Sequence, residues 1–169
     1  GATAESPSEL FVGNAGTATR FLTALLCLGH GVYRLSGVPR MHERPQAALL
    51  QSLRDLGYRI NSENDKLPLT IHAEGPKAGS CTVSITESSQ FASALLLAAD
   101  QGGWQVGIDG ERGAASPYVA MTSSLIEYFP KSGGRFAIEP DASGGSYFWA
   151  AGHILSGEGE LPVKVARWP

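Results

Sequence analysis

The chain has 169 residues, of which 43% are hydrophobic and 17% charged, a composition typical of a globular protein with a real core and not of a disordered one. Its formal net charge is -3, which argues against a general nucleic-acid or membrane-surface binder, because such a protein needs a basic face. No apolar run reaches the roughly 18 residues that a membrane-spanning helix needs. We therefore expect neither a nucleic-acid partner nor a membrane partner.

The hydrophobic pattern predicts alternating helices and strands. In chain order, the first half predicts a helix over 21–28, a strand over 32–36, a helix over 45–56, and strands over 58–60 and 67–71. The second half predicts a strand over 81–86, a helix over 89–99, a strand over 104–108, a helix over 117–128, a strand over 135–139 and a helix over 146–155. The helices over 21–28 and 89–99 are apolar on nearly every side, as buried helices are.

The two halves share landmarks at a constant offset of 72 positions. The matched pairs are Gly16 with Ser88, Gly31 with Gly103, and Pro45 with Pro117. Self-similarity at a fixed period indicates repeated structural units. The sequence therefore predicts an α/β fold of two repeated units, at about 10–75 and 80–140, with the buried helices packed against mixed sheets.

A glycine-rich segment over 13–20 directly precedes the first buried helix. Free backbone N–H groups at a helix N-terminus and the helix dipole favour an anion there. Arg20 lies in an otherwise apolar helix, and a buried guanidinium needs a partner. The segment predicts a seat for a phosphate or carboxylate, although a tight turn with a helix cap explains the glycines equally well.

Two further segments carry polar groups of the same kind. The loop over 39–45 holds Arg40 and Arg44 between two prolines, and arginine binds phosphate and carboxylate through paired hydrogen bonds. A solvated turn in which Glu43 neutralises one arginine is the alternative. The segment over 87–90 places two serines and a glutamine at the start of the second buried helix, where they can cap the helix or bind a phosphate.

The cysteines and histidines suggest neither a disulfide nor a metal site. Cys27 and Cys81 lie in apolar or alternating segments and are expected to be reduced core residues of a cytoplasmic protein. The four histidines lack the spacing of metal ligands. Asp141 precedes a Ser/Gly turn and is expected to cap the last helix.

Five segments in order resemble the 5-enolpyruvylshikimate-3-phosphate (EPSP) synthase family, and together they cover nearly the whole chain. They are GNAGTA at 13–18 followed by Arg20, PRM-x-ERP at 39–45, SSQF-x-SALL at 88–96, PYV-x-MT at 117–122 and EPDAS at 139–143. The resemblance implies transfer of the enolpyruvyl group of phosphoenolpyruvate to the 5-hydroxyl of shikimate 3-phosphate, with release of phosphate. It implies no metal and no organic cofactor.

The resemblance also implies roles for individual residues. Asn14, Gly16, Arg40 and Gln90 would lie at the phosphate of phosphoenolpyruvate, and Ser88 and Ser89 would hold the phosphate of shikimate 3-phosphate. Gln90 and Tyr118 would face the shikimate ring, and Arg20 would support the glycine-rich loop or the anionic pocket. The family's serine two positions before the Pro-Tyr pair is Ala115 here, and we expect the adjacent Ser116 to substitute for it.

By this resemblance, residues 1–140 form the two-unit core of an N-terminal substrate-binding domain, and 141–169 form the hinge and the start of the other domain. The family's first unit and nearly all of its other domain, which supplies the groups assigned to proton transfer, are not in this sequence. Because those groups must lie within hydrogen-bond reach of the reacting atoms, we expect this chain to be inactive without the remainder of the enzyme. The alternatives are a UDP-N-acetylglucosamine enolpyruvyl transferase and a stand-alone, non-catalytic anion-binding domain.

Overall fold

The computed structural model describes residues 6–110, 116–156 and 163–166. The chain divides into two units, Gly1–Tyr128 and Phe129–Pro169. The first unit contains β1 (Ser8–Phe11), α1 (Gly16–Cys27), β2 (His30–Ser36), α2 (Pro39–His42), α3 (Ala47–Asp55), β3 (Arg59–Ser62), β4 (Leu69–Glu74), β5 (Gly79–Ser84), α4 (Gln90–Gly102), β6 (Trp104–Asp109) and α5 (Ser116–Tyr128). The second contains α6 (Ala142–Ser156).

Two parallel β-α-β connections organise the first unit. Helix α1 joins β1 to the parallel strand β2, and α4 joins β5 to the parallel strand β6. Strands β3 and β4 extend the first pair into a mixed four-stranded sheet of order β1-β2-β4-β3, in which β4 runs antiparallel to both of its neighbours. Strands β5 and β6 form a separate two-stranded sheet. The predicted α/β fold is confirmed.

The core lies where α1, α3 and α4 pack against one another and against the two sheets. Its fully buried side chains include Leu53 of α3, Ile71 of β4 and Leu95 of α4. Small residues such as Ala24 and Ala94 line α1 and α4, which contact each other closely. As a result, the first residues of α4 lie next to α1, and this contact positions the site described below.

Three local predictions were wrong or incomplete. Residues 135–139 form no strand, because no strand of the described residues pairs with them; Ile138 is 86% exposed. Strand β1 was not predicted, since this largely exposed edge strand has only four residues and does not alternate between apolar and polar side chains. The loop expected over 39–45 contains the short helix α2, and α3 begins at Ala47, two residues after Pro45.

The second unit begins its helix as the Ser/Gly turn suggested. Asp141 accepts a hydrogen bond at Oδ1 from the backbone N–H of Ser143 (3.0 Å), and its carbonyl accepts one from Gly145 (2.9 Å). The expected capping role of Asp141 is confirmed, and α6 starts at Ala142, four residues earlier than predicted. In the same unit, the ring centres of Phe129 and Phe136 lie 5.3 Å apart.

Both cysteines are free and buried, as expected. Burial raises the pKa of the Cys27 thiol to about 12, against a smaller opposing effect of the Lys77 charge. Burial, followed by the Asp55 charge, also raises the pKa of Cys81. Because the thiolate is the reactive form, both thiols should be inert in the folded protein at neutral pH.

Iodoacetamide at pH 8 tests this expectation. With a pKa near 12, only about one Cys27 in 10,000 carries a thiolate at that pH, so mass spectrometry should find the native protein unmodified at both thiols. The urea-unfolded protein should gain two alkyl groups. Rapid labelling of Cys27 in the native protein would contradict the burial described here.

Two leucines of α4 provide a matched test of the core. Leu95 is fully buried, whereas Leu97 is 47% exposed. Leu95→Ala should lower the free energy of unfolding by about 2–5 kcal/mol, because it removes buried methyl groups and leaves a cavity. Leu97→Ala should lower it by about 0.5 kcal/mol. Urea titrations followed by circular dichroism measure both, and equal losses would place the core elsewhere.

Candidate functional site

An open cavity of about 610 Å³ lies in the first unit beside the start of α4. Four segments line it. They are α1 (Arg20, Phe21), the connection between α2 and α3 (Arg44, Pro45), the residues around the start of α4 (Glu87, Ser88, Ser89, Gln90, Ser93) and α5 (Tyr118, Met121, Thr122). The cavity therefore gathers residues from three of the five sequence segments that carry the family resemblance, and Arg20 from directly after a fourth.

Arg20 is the most deeply buried charged group of the cavity, with 4% of its surface exposed. Its Nη1 donates a hydrogen bond to Gln90 Oε1 (2.7 Å), and its Nη2 donates a long one to the Pro45 carbonyl (3.5 Å). The guanidinium lies 5.1 Å above the centre of the Phe91 ring. Its Nε is buried and has no partner among the described residues.

Gln90, the first residue of α4, is held from two sides. Its Oε1 accepts from Arg20, and its Nε2 donates to Thr17 Oγ1 (3.0 Å). Thr17 belongs to the first turn of α1, so one side chain joins the N-terminal ends of both buried helices. The segments 13–20 and 87–90 thus meet at Thr17, Arg20 and Gln90.

The two serines before Gln90 differ in their contacts. Ser88 Oγ accepts a hydrogen bond from the backbone N–H of Gln90 (3.3 Å), which is the capping role considered for this segment. Ser89 occupies the N-cap position of α4 but makes no capping bond with its side chain. Among the described residues, the Ser89 hydroxyl has no hydrogen-bond partner. It can therefore bind a ligand without breaking an existing contact.

Arg44 packs closely on Gly16. A Cβ built on Gly16 would overlap Nη1 of Arg44 and lie 2.7 Å from its Cζ, so the close approach depends on the absence of a side chain there. The backbone N–H of Arg44 donates to the Met41 carbonyl (3.3 Å), but within the described part of the chain its guanidinium has no hydrogen bond and no ion pair. Arg44 consequently supplies the cavity with a cation that no carboxylate neutralises.

The electrostatics of the cavity are set by two cations and one anion. Burial, followed by the positive charge of Arg44, lowers the pKa of Arg20, and the Glu87 carboxylate acts in the opposite direction. Arginine nevertheless stays protonated in proteins. Two guanidinium groups facing a single exposed carboxylate leave an excess of positive charge, which favours an anionic ligand.

Of the remaining predicted site residues, only Tyr118 belongs to the described lining of the cavity. Asn14 is exposed, and Gly16 is buried and reaches the cavity only through Arg44. Arg40 is exposed and pairs with Glu43 (2.6 Å), as the solvated-turn alternative expected. Tyr118 lines the cavity and is 60% exposed. Ser116 begins α5, but its side chain and Ala115 are outside the described residues.

Four residues that line the cavity had no individual role in the sequence-based predictions: Arg44, Glu87, Ser93 and Thr122. Arg44 was noted only as one of two arginines in a loop, and Glu87 only as the residue before the serines. Ser93 Oγ and Thr122 Oγ1 form a buried hydrogen bond (2.8 Å) that joins α4 to α5. Helical spacing places Ser93 on the same side of α4 as Gln90, and this signal could have identified it.

A family model described as EPSP synthase (3-phosphoshikimate 1-carboxyvinyltransferase) matches residues 1–132. The chain belongs to the EPSP synthase family. Relatives named 3-phosphoshikimate 1-carboxyvinyltransferase agree: one from Vibrio cholerae is 41% identical over 182 residues, and one from Nitrosomonas europaea is 42% identical over 180. Each alignment covers 94% of this chain, and the resemblance noted in the sequence is confirmed.

This chain spans about two fifths of the length of the curated relatives it matches (42% and 41%). A solved EPSP synthase from Acinetobacter baumannii superposes with a TM-score of 0.52, over 65% of this chain and 26% of that one. At 23% identity, this likeness supports the fold alone. Among the described residues there is no helix with the length and hydrophobicity to span a membrane, and no group of three or more potential metal ligands.

The charge of Glu87 gives a test of the cavity's electrostatics. Glu87→Gln should tighten the binding of inorganic phosphate by about two- to fivefold, because a repulsive carboxylate at the cavity becomes neutral. Isothermal titration calorimetry at low ionic strength measures the change. Glu63→Gln is the matched control, since Glu63 is an exposed carboxylate on the turn between β3 and β4 and should leave phosphate binding unchanged. Equal effects of the two variants would contradict the assignment.

Proposed function

We propose that the protein to which this chain belongs transfers the enolpyruvyl group of phosphoenolpyruvate to the 5-hydroxyl of shikimate 3-phosphate, in the cytoplasm. In this proposal the cavity beside α4 holds the phosphate of shikimate 3-phosphate. Family membership supports the reaction, and the names of the relatives support the substrates. No metal or organic cofactor is part of the proposal.

The observation that carries the proposal is the cation excess of the cavity beside two serine hydroxyls. Arg44 has no acidic partner, and Ser89 Oγ has no hydrogen-bond partner among the described residues. A phosphate monoester offers the acceptor oxygens and the charge that these groups lack. The N-terminal end of α4 adds favourable backbone dipoles to the same site.

Phosphoenolpyruvate is proposed to bind next to this phosphate, at Asn14, Gly16, Arg40 and Gln90. Two observations support a neighbouring site: Gln90 contacts Thr17 of the glycine-rich segment, and Arg44 contacts Gly16. Arg40 would have to exchange Glu43 for the substrate. The exposed position of this ion pair makes the exchange inexpensive, since exposed pairs contribute about 0–1 kcal/mol.

The chain alone is proposed to bind substrate without turning it over. The reaction needs acids and bases within hydrogen-bond reach of the reacting carbons. Glu87 is the only carboxylate that lines the cavity within the described part of the chain. The family assigns proton transfer to groups of the other domain, and the remainder of the enzyme is therefore the partner that this chain requires.

Arg44→Gln tests the proposed phosphate site. In a ¹⁵N-labelled sample of the 169-residue chain, shikimate 3-phosphate should shift the amide signals of Gly16, Ser88, Ser89 and Gln90 in a saturable way. Shikimate, which lacks the phosphate, should not. Arg44→Gln should weaken the binding at least tenfold, because a hydrogen-bonded charge pair is worth about 1.5–3 kcal/mol.

Arg34→Gln is the matched control, since Arg34 is an exposed arginine of β2 that pairs with Glu9. It should leave the affinity unchanged. Shifts confined to other regions, or equal losses in the two variants, would contradict the site. Tighter binding of UDP-N-acetylglucosamine than of shikimate 3-phosphate would instead favour the related transferase. Phosphate release from the two substrates by the purified chain would contradict its proposed inactivity.

A further inference from the structure

We infer that Arg20 is a positioning residue, which acts on the ligand through Gln90 by fixing the orientation of the Gln90 amide. This inference rests on the proposed function, because it assigns a role within the same anion site. It specifies how Arg20 would support the pocket, namely through Gln90 and not by direct contact with the anion. The argument starts from the chemistry of the two side chains.

A guanidinium carries five N–H donors and no acceptor, so only the oxygen of an amide can face it. The contact of 2.7 Å between Arg20 Nη1 and Gln90 Oε1 therefore holds the oxygen end of the amide toward Arg20. The nitrogen end must then face the other way, where Nε2 donates one hydrogen to Thr17 Oγ1. The described residues supply no acceptor for the second Nε2 hydrogen.

This arrangement makes Gln90 a dedicated donor. A free glutamine at a cavity could turn either its oxygen or its nitrogen toward a ligand, and the oxygen would repel an anion. With its oxygen turned toward Arg20, Gln90 keeps its NH₂ group on the opposite side of the amide, where one hydrogen is free to donate to a ligand. The amide is thus preorganised for an anion before the anion arrives, which lowers the ordering cost of binding.

The contacts of Arg20 itself fit a positioning role. The Nε is buried and cannot be reached from the cavity, and the two Nη atoms contact Gln90 and Pro45. The guanidinium also lies over the Phe91 ring, which restrains its plane. Three contacts thus fix this cation among groups of the protein, whereas Arg44 has no such partner. The two arginines therefore have different roles: Arg44 provides positive charge to the ligand, and Arg20 holds the Gln90 amide in its orientation.

A double-mutant cycle on the 169-residue chain separates positioning from direct contact. Arg20→Lys keeps the positive charge but removes the planar fork, and Gln90→Ala removes the amide. Each should weaken the binding of shikimate 3-phosphate by roughly tenfold. If Arg20 acts through Gln90, the double variant should bind within about twofold of Gln90→Ala. Losses that multiply to roughly a hundredfold would overturn the inference.

A spectroscopic measurement tests the orientation without any ligand. The two side-chain N–H signals of Gln90 should be well separated in the unchanged chain and converge toward the positions of a free glutamine in Arg20→Lys. Unchanged signals would overturn the inference. Arg34→Lys, a lysine substitution at an exposed arginine, should alter neither these signals nor the affinity.

A second variant covers the case in which Arg20→Lys folds poorly. Thr17 is exposed, so Thr17→Val should fold, and it removes the other contact of the Gln90 amide without changing a charge. It should weaken binding of shikimate 3-phosphate about two- to fivefold in the chain with Gln90 and have no effect in Gln90→Ala. An equal effect in both backgrounds would contradict the inference. If the unchanged chain binds no shikimate 3-phosphate, the proposed function fails, while the side-chain signals of Gln90 still decide the role of Arg20.

Discussion

The burial of the Arg20 guanidinium is the constraint from which the arrangement of the site follows. Helix α1 packs against α4, and Arg20 belongs to the buried face of α1. Arginine stays protonated in proteins, so it cannot avoid the cost of burying its charge by losing a proton. A buried guanidinium therefore needs hydrogen-bond acceptors. Gln90 and the Pro45 carbonyl provide them from two other segments of the chain. The Arg20 guanidinium therefore links α1 to the start of α4 and also to the residues just before α3.

Arg44 is a second cation in the same region, and its guanidinium is not held by an acidic partner among the described residues. Its guanidinium lies against Gly16, where no side chain competes for space, and no carboxylate of the described residues pairs with it. The repulsion between Arg44 and Arg20 contributes to the lowered pKa of Arg20. Such a pair costs stability while the cavity holds no anion, and a bound anion would relieve this cost. The two positive charges that repel each other in the cavity are thus the same charges that would attract an anion to it.

The sequence predicted the alternating elements and the positions of α1 and α4 because hydrophobic periodicity depends on local spacing alone. The expectation that both helices are buried on every side was wrong, since Leu25 of α1 is 57% exposed and Leu97 of α4 is 47% exposed. The sequence failed where an outcome depended on distant partners. Residues 135–139 alternate as a strand does, but a strand also needs a neighbour, and the described chain supplies none. Likewise, Arg40 and Arg44 are equivalent in sequence, four positions apart in one motif. Only the path of the chain pairs Arg40 with Glu43 at the surface and lays Arg44 on Gly16.

The cavity is open to solvent, and this limits how strongly its charged groups can attract an anion. Tyr118 and Met121 line it and are 60% and 61% exposed, so water reaches its α5 side. Water weakens the attraction between the guanidinium groups and an anion, because the effective dielectric constant is high. Closure of a site removes that water and strengthens every contact inside. The guanidinium groups of Arg20 and Arg44 therefore line a cavity in which solvent weakens their attraction for an anion.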